Sequence, residues 1–148
     1  MCRMLPTLPD VLDRTVDRIF PQLLEELAFA DSWVQDIRDG SKVFSGACDF
    51  DSPWDWSLVV EGSRECLLDL ASGFHSLPDV HMDDLFAEEF LLEVCARLGQ
   101  RLASAVPGAP YPGAAYPRKF AMEVPDWERV FAVNERTGWI RIGIVPAL

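Results

Sequence analysis

Features of membrane, secreted and disulfide-linked proteins are missing from this sequence. No apolar run approaches the roughly 18 to 20 residues that a membrane-spanning helix requires. The first four residues lead directly into Pro6 and Pro9, so we expect no signal peptide. No cysteine lies in a Cys-x-x-Cys pair; the four are Cys2, Cys48, Cys66 and Cys95. Cysteines scattered in this way favour reduced, mostly buried thiols over a disulfide, and we predict a cytoplasmic protein.

Motifs of the common enzyme classes are also missing. The sequence has no glycine-rich phosphate loop, no Gly-x-Ser-x-Gly elbow and no zinc-spaced set of cysteines and histidines. It has only two histidines, His75 and His81, which leaves few general bases for neutral pH. We therefore predict no bound cofactor.

Basic residues are scarce, with 13 lysines and arginines against 24 aspartates and glutamates. The resulting net charge of -11 repels phosphate backbones and anionic lipid surfaces, so we expect neither nucleic acid nor membrane as a partner. The length of 148 residues and the 49% share of hydrophobic residues are typical of one globular domain, here predicted over residues 1–148.

Hydrophobic periodicity predicts three helices. The first covers residues 10–30, and Pro21 should kink or split it, because proline lacks an N–H and clashes with the preceding turn. The second covers residues 63–74, with Ser63 as its N-cap. The longest covers residues 82–106 and carries an apolar stripe from Ala87 to Ala105.

Strand-like patterns occupy most of the remaining chain. The predicted strands are residues 42–50, 54–61, 118–124, 129–133 and 139–145. The last two should form a hairpin, with Ile140, Ile142 and Ile144 on its buried face. Residues 107–117 are rich in proline and glycine and are typical of a stiff connector. The element order α-β-β-α-α-β-β-β predicts an α+β fold, a mostly antiparallel sheet with helices packed on one face.

Several acidic and aromatic clusters could carry chemistry, but each has a simpler structural interpretation. His75, Asp79, His81, Asp83 and Asp84 mix metal-ligand types, yet Asp83 and Asp84 begin the long helix, where carboxylates cap free N–H groups. We therefore predict no metal site there.

Two further clusters have the same ambiguity. Asp49, Asp51 and Asp55 are typical of a solvated turn between strands. The tryptophans Trp54, Trp56 and Trp139 lie in predicted strands, where aromatic residues are common in the core.

The long helix carries a polar face opposite its apolar stripe. Glu89, Glu93, Ala96 and Gln100 share this face on a helical wheel. A purely structural interpretation is a solvated surface on which Glu93 pairs with Arg97 one turn later. The two carboxylates could alternatively do acid–base work, although the sequence gives no sign of a shifted pKa.

The element order, the acidic loop before the long helix and the helix itself resemble the CheX/CheC family of chemotaxis phosphatases, over residues 11–148. In that family the active helix carries an Asp or Ser, then a Glu, then an Asn, and a Pro about twenty residues later. The Glu docks onto a phosphorylated receiver protein, CheY, and the Asn orients the attacking water. Carried onto this sequence, Glu93 matches the Glu, Glu89 the Asp or Ser position, and Pro117 falls close to the Pro.

This sequence departs from the family pattern at the asparagine, where Ala96 stands. The glycine that follows in the family corresponds to Gln100, with Gly99 one residue early. A register that matches Gly99 would place Leu92 and Cys95 at the Glu and Asn positions and disrupt the match to the apolar stripe, so we reject it. Neither register contains the Glu-x-x-Asn pair.

The resemblance implies a signalling domain that binds a CheY-like response-regulator receiver through Glu89, Glu93 and Gln100. Because the methyl group of Ala96 forms no hydrogen bonds, we predict weak or absent phosphatase activity. Two alternatives stay open: an active phosphatase that positions water with another group, of which Gln100 is the nearest amide, and a structural or assembly protein that shares only the fold. The family also implies a homodimer formed by sheet edges.

Overall fold

The computed structural model describes residues 4–35, 42–52, 54–78, 83–119, 124–134 and 138–146. The helices are α1 (Met4–Ala28), α2 (Arg64–His75) and α3 (Asp84–Ala105). The strands are β1 (Ser32–Val34), β2 (Val43–Phe50), β3 (Trp56–Ser63), β4 (Tyr116–Pro117), β5 (Trp127–Val133) and β6 (Gly138–Pro146). The predicted α+β class and element order are confirmed, with the short strand β1 added after the first helix.

All six strands form one antiparallel sheet in the order β1-β5-β6-β3-β2-β4. The predicted hairpin is confirmed, because β5 pairs with β6 from Trp127↔Ile144 to Val133↔Gly138. Its turn begins at Asn134, whose φ of 57° lies in the left-handed region that asparagine tolerates.

The three helices pack together on one face of this sheet, as predicted. Helix α3 packs against β2 and β3, and α1 and α2 flank it. The sheet contributes Leu58 and Val60 of β3, together with Ile140, Ile142 and Ile144 of β6, to the shared core. The face of β6 that carries these isoleucines, which the alternation predicted to be buried, therefore meets the helices. No helix in the described ranges is long and apolar enough to cross a bilayer.

Two predicted elements differ from the observed ones. Helix α1 begins at Met4 and continues through Pro21 without being divided. Pro21 cannot donate a backbone hydrogen bond, which destabilises the helix. The free energy gained by burying its neighbours outweighs this loss, since Phe20, Leu23 and Leu24 are fully buried.

The predicted strand over residues 118–124 is wrong where it can be compared. Pairing with β2 occurs instead at Tyr116 and Pro117, and the Arg118 N–H donates to Ser45 O at 2.8 Å. The described pairing of this segment with β2 therefore covers Tyr116 to Arg118. Lys119 is outside any strand, and residues 120–123 lie outside the described residues.

The sheet face opposite the helices carries a row of charged side chains across its central strands. Arg141 of β6 contacts Glu61 of β3 at 3.2 Å and Glu128 of β5 at 2.5 Å. Ser45 of β2 donates a hydrogen bond to Glu61 at 2.7 Å. Glu61 and Arg141 are both buried, so the two charges depend on each other.

Candidate functional site

The beginning of α3 is fixed by charged contacts. Asp83 is the N-cap, and its carboxylate accepts hydrogen bonds from the N–H groups of Leu85 and Phe86. Asp84 forms ion pairs with Arg64 at 2.5 Å and Lys42 at 3.0 Å, and the hydrogen bonds from these two cations lower the pKa of the Asp84 carboxyl. The interpretation of these two aspartates as the start of the helix is confirmed.

The rotation of α3 about its axis is set by close packing on β2. A Cβ atom on Gly99 would stand 2.8 Å from Cys48 Sγ, and one on Gly46 would stand 3.0 Å from Leu92 Cδ2. Both glycines therefore allow the helix and the strand to approach closely. The buried residues of α3 follow the predicted stripe; they are Ala87, Phe90, Leu91, Val94, Cys95, Leu98, Gly99 and Leu102.

This rotation turns the predicted site residues toward solvent. Glu89 and Gln100 are exposed, and the Glu93 side chain is 37% exposed. Ala96 lies between them but is half-buried rather than exposed. The four residues form a surface on α3, which we call the α3 outer face (Glu89, Glu93, Ala96 and Gln100).

Glu93 has a partner on the same helix. The Nε atom of Arg97 lies 2.5 Å from Glu93 Oε2, an i,i+4 ion pair with both side chains more than a third exposed. The pairing predicted for a solvated helix surface is therefore present. An exposed pair of this kind contributes only about 0.5 kcal/mol to stability.

The structure also tests the rejected alignment, which matches Gly99 to the family glycine and places Cys95 at the asparagine position. Cys95 is fully buried, and its thiol points toward Leu58 O, 3.9 Å away. Contact with Cys48 and burial raise the pKa of the Cys95 thiol. A side chain at position 95 faces the sheet, whereas position 96 borders solvent.

The connector after α3 runs beside the helix along the edge of β2. Pro112 Cβ would lie 3.5 Å from a Cβ atom on Gly99, and the Gly113 N–H donates to Asp49 O at 2.8 Å. Tyr116 donates a hydrogen bond to Asp49 Oδ1 at 2.8 Å. Pro117, matched to the family proline, is exposed and pairs with Gly46.

The remaining sequence candidates have structural roles where they are described. Asp49 also accepts a hydrogen bond from Ser57, and Asp55 accepts one from Ser52. Trp54 stacks on Trp56 with ring centroids 4.5 Å apart. Both rings are buried, as is Trp139, in agreement with their predicted place in the interior.

The described histidine and cysteines take part in packing. His75 packs edge-on against Phe74 and Phe86. Among the described residues no group of three or more histidine, cysteine or acidic side chains converges as metal ligands. Asp79, His81 and Cys2 lie outside the described residues; the other cysteines, Cys48, Cys66 and Cys95, are buried free thiols, as predicted.

Sequence reasoning missed one feature, a groove between α1 and α3. It has a volume of about 480 Å³ and is lined by Arg18, Ile19, Gln22, Gln100, Arg101, Ser104 and Ala105. These residues come from two helices about eighty positions apart, and neither helix carries a motif that links them. Only Gln100 belongs both to the groove and to the α3 outer face.

Comparison with known proteins gives matches in structure but none in sequence. No protein-family model matches the chain, and no curated protein sequence matches it significantly. A chain of the CheX–CheY–BeF3–Mg2+ complex from Borrelia burgdorferi superposes with a TM-score of 0.62 and 13% identity, covering 90% of this chain and 99% of that one. A CheX chemotaxis protein from Desulfovibrio desulfuricans gives 0.63 and 9%, covering 93% and 99%. A chain of the FliG–FliM complex from H. pylori gives 0.64 and 10%, covering 99% and 94%.

These superpositions extend over nearly the whole of each chain, so the likeness is one of complete folds and not of a shared fragment. The identities of 9 to 13% are too low to carry residue roles from one chain to the other. The protein therefore has a CheX-like fold, in a sequence that has diverged far from those of the solved structures.

Proposed function

We propose that this protein is a divergent CheX-like domain of a cytoplasmic bacterial signalling pathway that binds a CheY-like receiver domain through the α3 outer face. The observation that carries the proposal is the presentation of Glu89 and Glu93 toward solvent on α3 in a CheX-like fold. One of the similar structures is itself a CheX–CheY complex. In the family, the position matched by Glu93 docks onto the receiver.

Phosphatase activity should be weak or lost, because Ala96 stands at the position of the water-orienting asparagine. A methyl group neither donates nor accepts a hydrogen bond. Loss of a group that positions the nucleophile lowers a rate by a factor of about a hundred or more. The neighbouring carboxylate of Glu93 is engaged with Arg97 and does not replace an amide.

An active phosphatase is a second candidate, favoured by the position of Gln100. This residue is exposed on the same helix, about one turn after Ala96, and its amide could orient water. Its backbone lies further along the helix than that of the family asparagine, so the receiver would have to dock in a shifted position.

A non-catalytic assembly protein is a third candidate, favoured by the similarity to a chain of a FliG–FliM complex. This similarity covers 99% of the present chain, slightly more than the similarity to the CheX structures. A protein of this kind would use its surfaces for stable contacts and would have no need of a water-positioning group.

Titration calorimetry with a CheY-like receiver tests the leading proposal. The receiver is measured with Mg²⁺ alone and with Mg²⁺ and beryllofluoride, a mimic of the phosphoryl group. We expect binding that strengthens with the mimic and weakens at least tenfold in Glu93→Lys, because charge reversal at a docking contact introduces repulsion.

Glu25→Lys is the matched control, since it reverses an exposed charge on α1 outside the α3 outer face. Its affinity should stay within about twofold of the unchanged protein. Absence of binding to receivers with and without the mimic contradicts the proposal and favours the assembly candidate. Phosphate release from a phosphorylated receiver, abolished by Gln100→Ala, would establish the second candidate.

A further inference from the structure

The groove between α1 and α3 contains the one arginine of the described ranges that has no hydrogen-bond or ion-pair partner, Arg18. Ion pairs with carboxylates engage Arg64, Arg97, Arg101, Arg129 and Arg141. Arg14 and Arg118 have interaction partners as well. Arg18 is exposed, so its guanidinium is free to bind an anion from solution.

A second guanidinium borders the same groove. Arg101 is held by Glu26 through two hydrogen bonds, of 3.0 and 2.9 Å, which use one N–H on each terminal nitrogen. Three of its five N–H groups are not used by Glu26. Arg18 and Arg101 line the same groove, so an anion bound there would lie near both guanidinium groups.

The rest of the lining suits a small anionic molecule. Gln22 and Gln100 carry amide donors, and Ser104 carries a hydroxyl. Ile19 is buried and, with Ala105, provides an apolar surface. A volume of about 480 Å³ falls in the range of small-molecule sites.

We propose that this groove binds a small molecule bearing a phosphate group, with Arg18 as its principal cation. Guanidinium groups bind phosphate oxygens with paired, charge-assisted hydrogen bonds. The apolar surface of Ile19 and Ala105 contacts the organic part of the ligand. The groove shares Gln100 with the α3 outer face, but its test uses no receiver, so its failure and the failure of the proposed function are distinguishable.

Nuclear magnetic resonance titration of the ¹⁵N-labelled protein with phenyl phosphate tests the site. We expect saturable shifts in the backbone amides of Gln22, Gln100 and Ser104, with a Kd of about a millimolar or below. Phenol, which lacks the phosphate, should cause no saturable shift. Benzoate, with a single negative charge, should bind several-fold more weakly than phenyl phosphate.

Three substitutions locate the cation. Arg18→Gln should weaken phenyl phosphate binding about tenfold or more, because it removes the free guanidinium. Arg14→Gln is the matched control, one turn earlier on α1 and outside the lining, and should change the affinity less than about twofold. Glu26→Gln should strengthen binding several-fold, since it frees Arg101 and removes a competing carboxylate.

Each contrary result overturns the proposal. Phenol binding as tightly as phenyl phosphate would show an apolar site without anion recognition. Equal losses in Arg18→Gln and Arg14→Gln would show a diffuse charge effect. Benzoate binding more tightly than phenyl phosphate would exclude a phosphate ligand, and the lack of any saturable shift would exclude a site.

Discussion

Cys48 Sγ lies 2.8 Å from the point at which a Cβ atom on Gly99 would stand. At this contact between β2 and α3, neither residue could be replaced by a larger one without a shift of its neighbour. This contact joins β2, next to the sheet edge formed by β4, to α3, which at 22 residues is shorter than the 25-residue α1 although the sequence predicts it as the longest helix. It fixes which residues of α3 face the interior. The α3 outer face consequently depends on a glycine and a cysteine that take no part in it.

Gly99→Ala tests this contact. Alanine is the better helix former by about 1 kcal/mol, but overpacking a buried site costs about 1 to 3 kcal/mol, so we expect a net loss of stability. In a Cys48→Ala background the space is free, and Gly99→Ala should become neutral or stabilising. The free energy of unfolding from urea denaturation measures both.

Gly113→Ala is the control for the glycine substitution, because a Cβ atom there would meet only Asp49 O at 3.6 Å, an ordinary contact. Its stability should change little. A Gly99→Ala protein that is more stable than the unchanged one in both backgrounds would show that α3 does not need this close approach.

Ala96→Asn tests the missing amide. Asparagine lowers helix stability by about 0.5 kcal/mol, so the variant should fold. If the α3 outer face retains the family geometry, the variant should release phosphate from a phosphorylated receiver faster than the unchanged protein, by about a hundredfold. The gain should disappear when Glu93→Ala is added.

Ala103→Asn is its matched control, a half-buried alanine two turns later on α3. This variant should leave the phosphate-release rate unchanged. Unaltered release by Ala96→Asn, with receiver binding intact, would mean that the site differs from the family's by more than its asparagine.

Arg141→Met tests the buried charge row on the sheet. The substitution removes the arginine that pairs with Glu61. The Glu61 side chain is only 4% exposed, so water cannot replace this partner. We expect a loss of about 3 kcal/mol in the free energy of unfolding. Adding Glu61→Gln should restore part of that loss.

Arg97→Gln provides the comparison for an exposed pair, and it should cost only about 0.5 kcal/mol. Thermal and urea unfolding report both values. Equal losses of unfolding free energy in Arg97→Gln and Arg141→Met would contradict the expectation that a buried ion pair is costlier to break than an exposed one.

The ion pair between Glu26 and Arg101 predicts a pH dependence of stability. Hydrogen bonds from Arg101 lower the pKa of the Glu26 carboxyl below its usual value of 4.5. A lowered pKa in the folded state stabilises the protein when the group is ionised. The contribution is therefore present above about pH 4.5 and is lost as the pH falls through the lowered pKa.

Glu26→Gln should accordingly reduce the unfolding temperature at pH 7, and the difference from the unchanged protein should vanish at about pH 2. Glu25→Gln removes the same charge from the same helix without this ion pair, and should lower the pH 7 unfolding temperature less. A Glu26→Gln difference that grows toward acid pH would reverse the predicted sign.

Dimerisation through a sheet edge stays a prediction, and the two edges differ. The edge at β2 is occupied by β4 and by the hydrogen bonds of Gly113 and Arg118. The edge at β1 exposes Trp33 and Val34. We expect a dimer joined at β1, because an exposed strand edge is a template for pairing.

Light scattering over a concentration series measures this assembly. Trp33→Lys should give a monomer, whereas Val43→Lys, an exposed change in β2, should leave the dimer intact. A monomer mass at every concentration of the unchanged protein would contradict the prediction.

Local patterns in the sequence determined most of the fold. The helical spacing of Leu91, Val94 and Leu98 gave α3 and its buried side, and Ser63 and Asp83 marked the starts of two helices. The alternation in β6 identified the face that packs against the helices. These features are local, because capping and periodicity depend on residues within a few positions of each other. The same periodicity placed Glu93 and Ala96 on the solvent side.

Tertiary structure decided which distant residues meet. The contact of Cys48 with Gly99, the ion pair of Glu61 with Arg141 and the groove shared by Arg18 and Arg101 each join positions far apart in the chain. Tertiary packing also allowed α1 to continue through Pro21, although proline disfavours the interior of a helix. The physical reason is that burial and charge pairing act through space, and their free energies exceed the local preferences that a sequence pattern expresses.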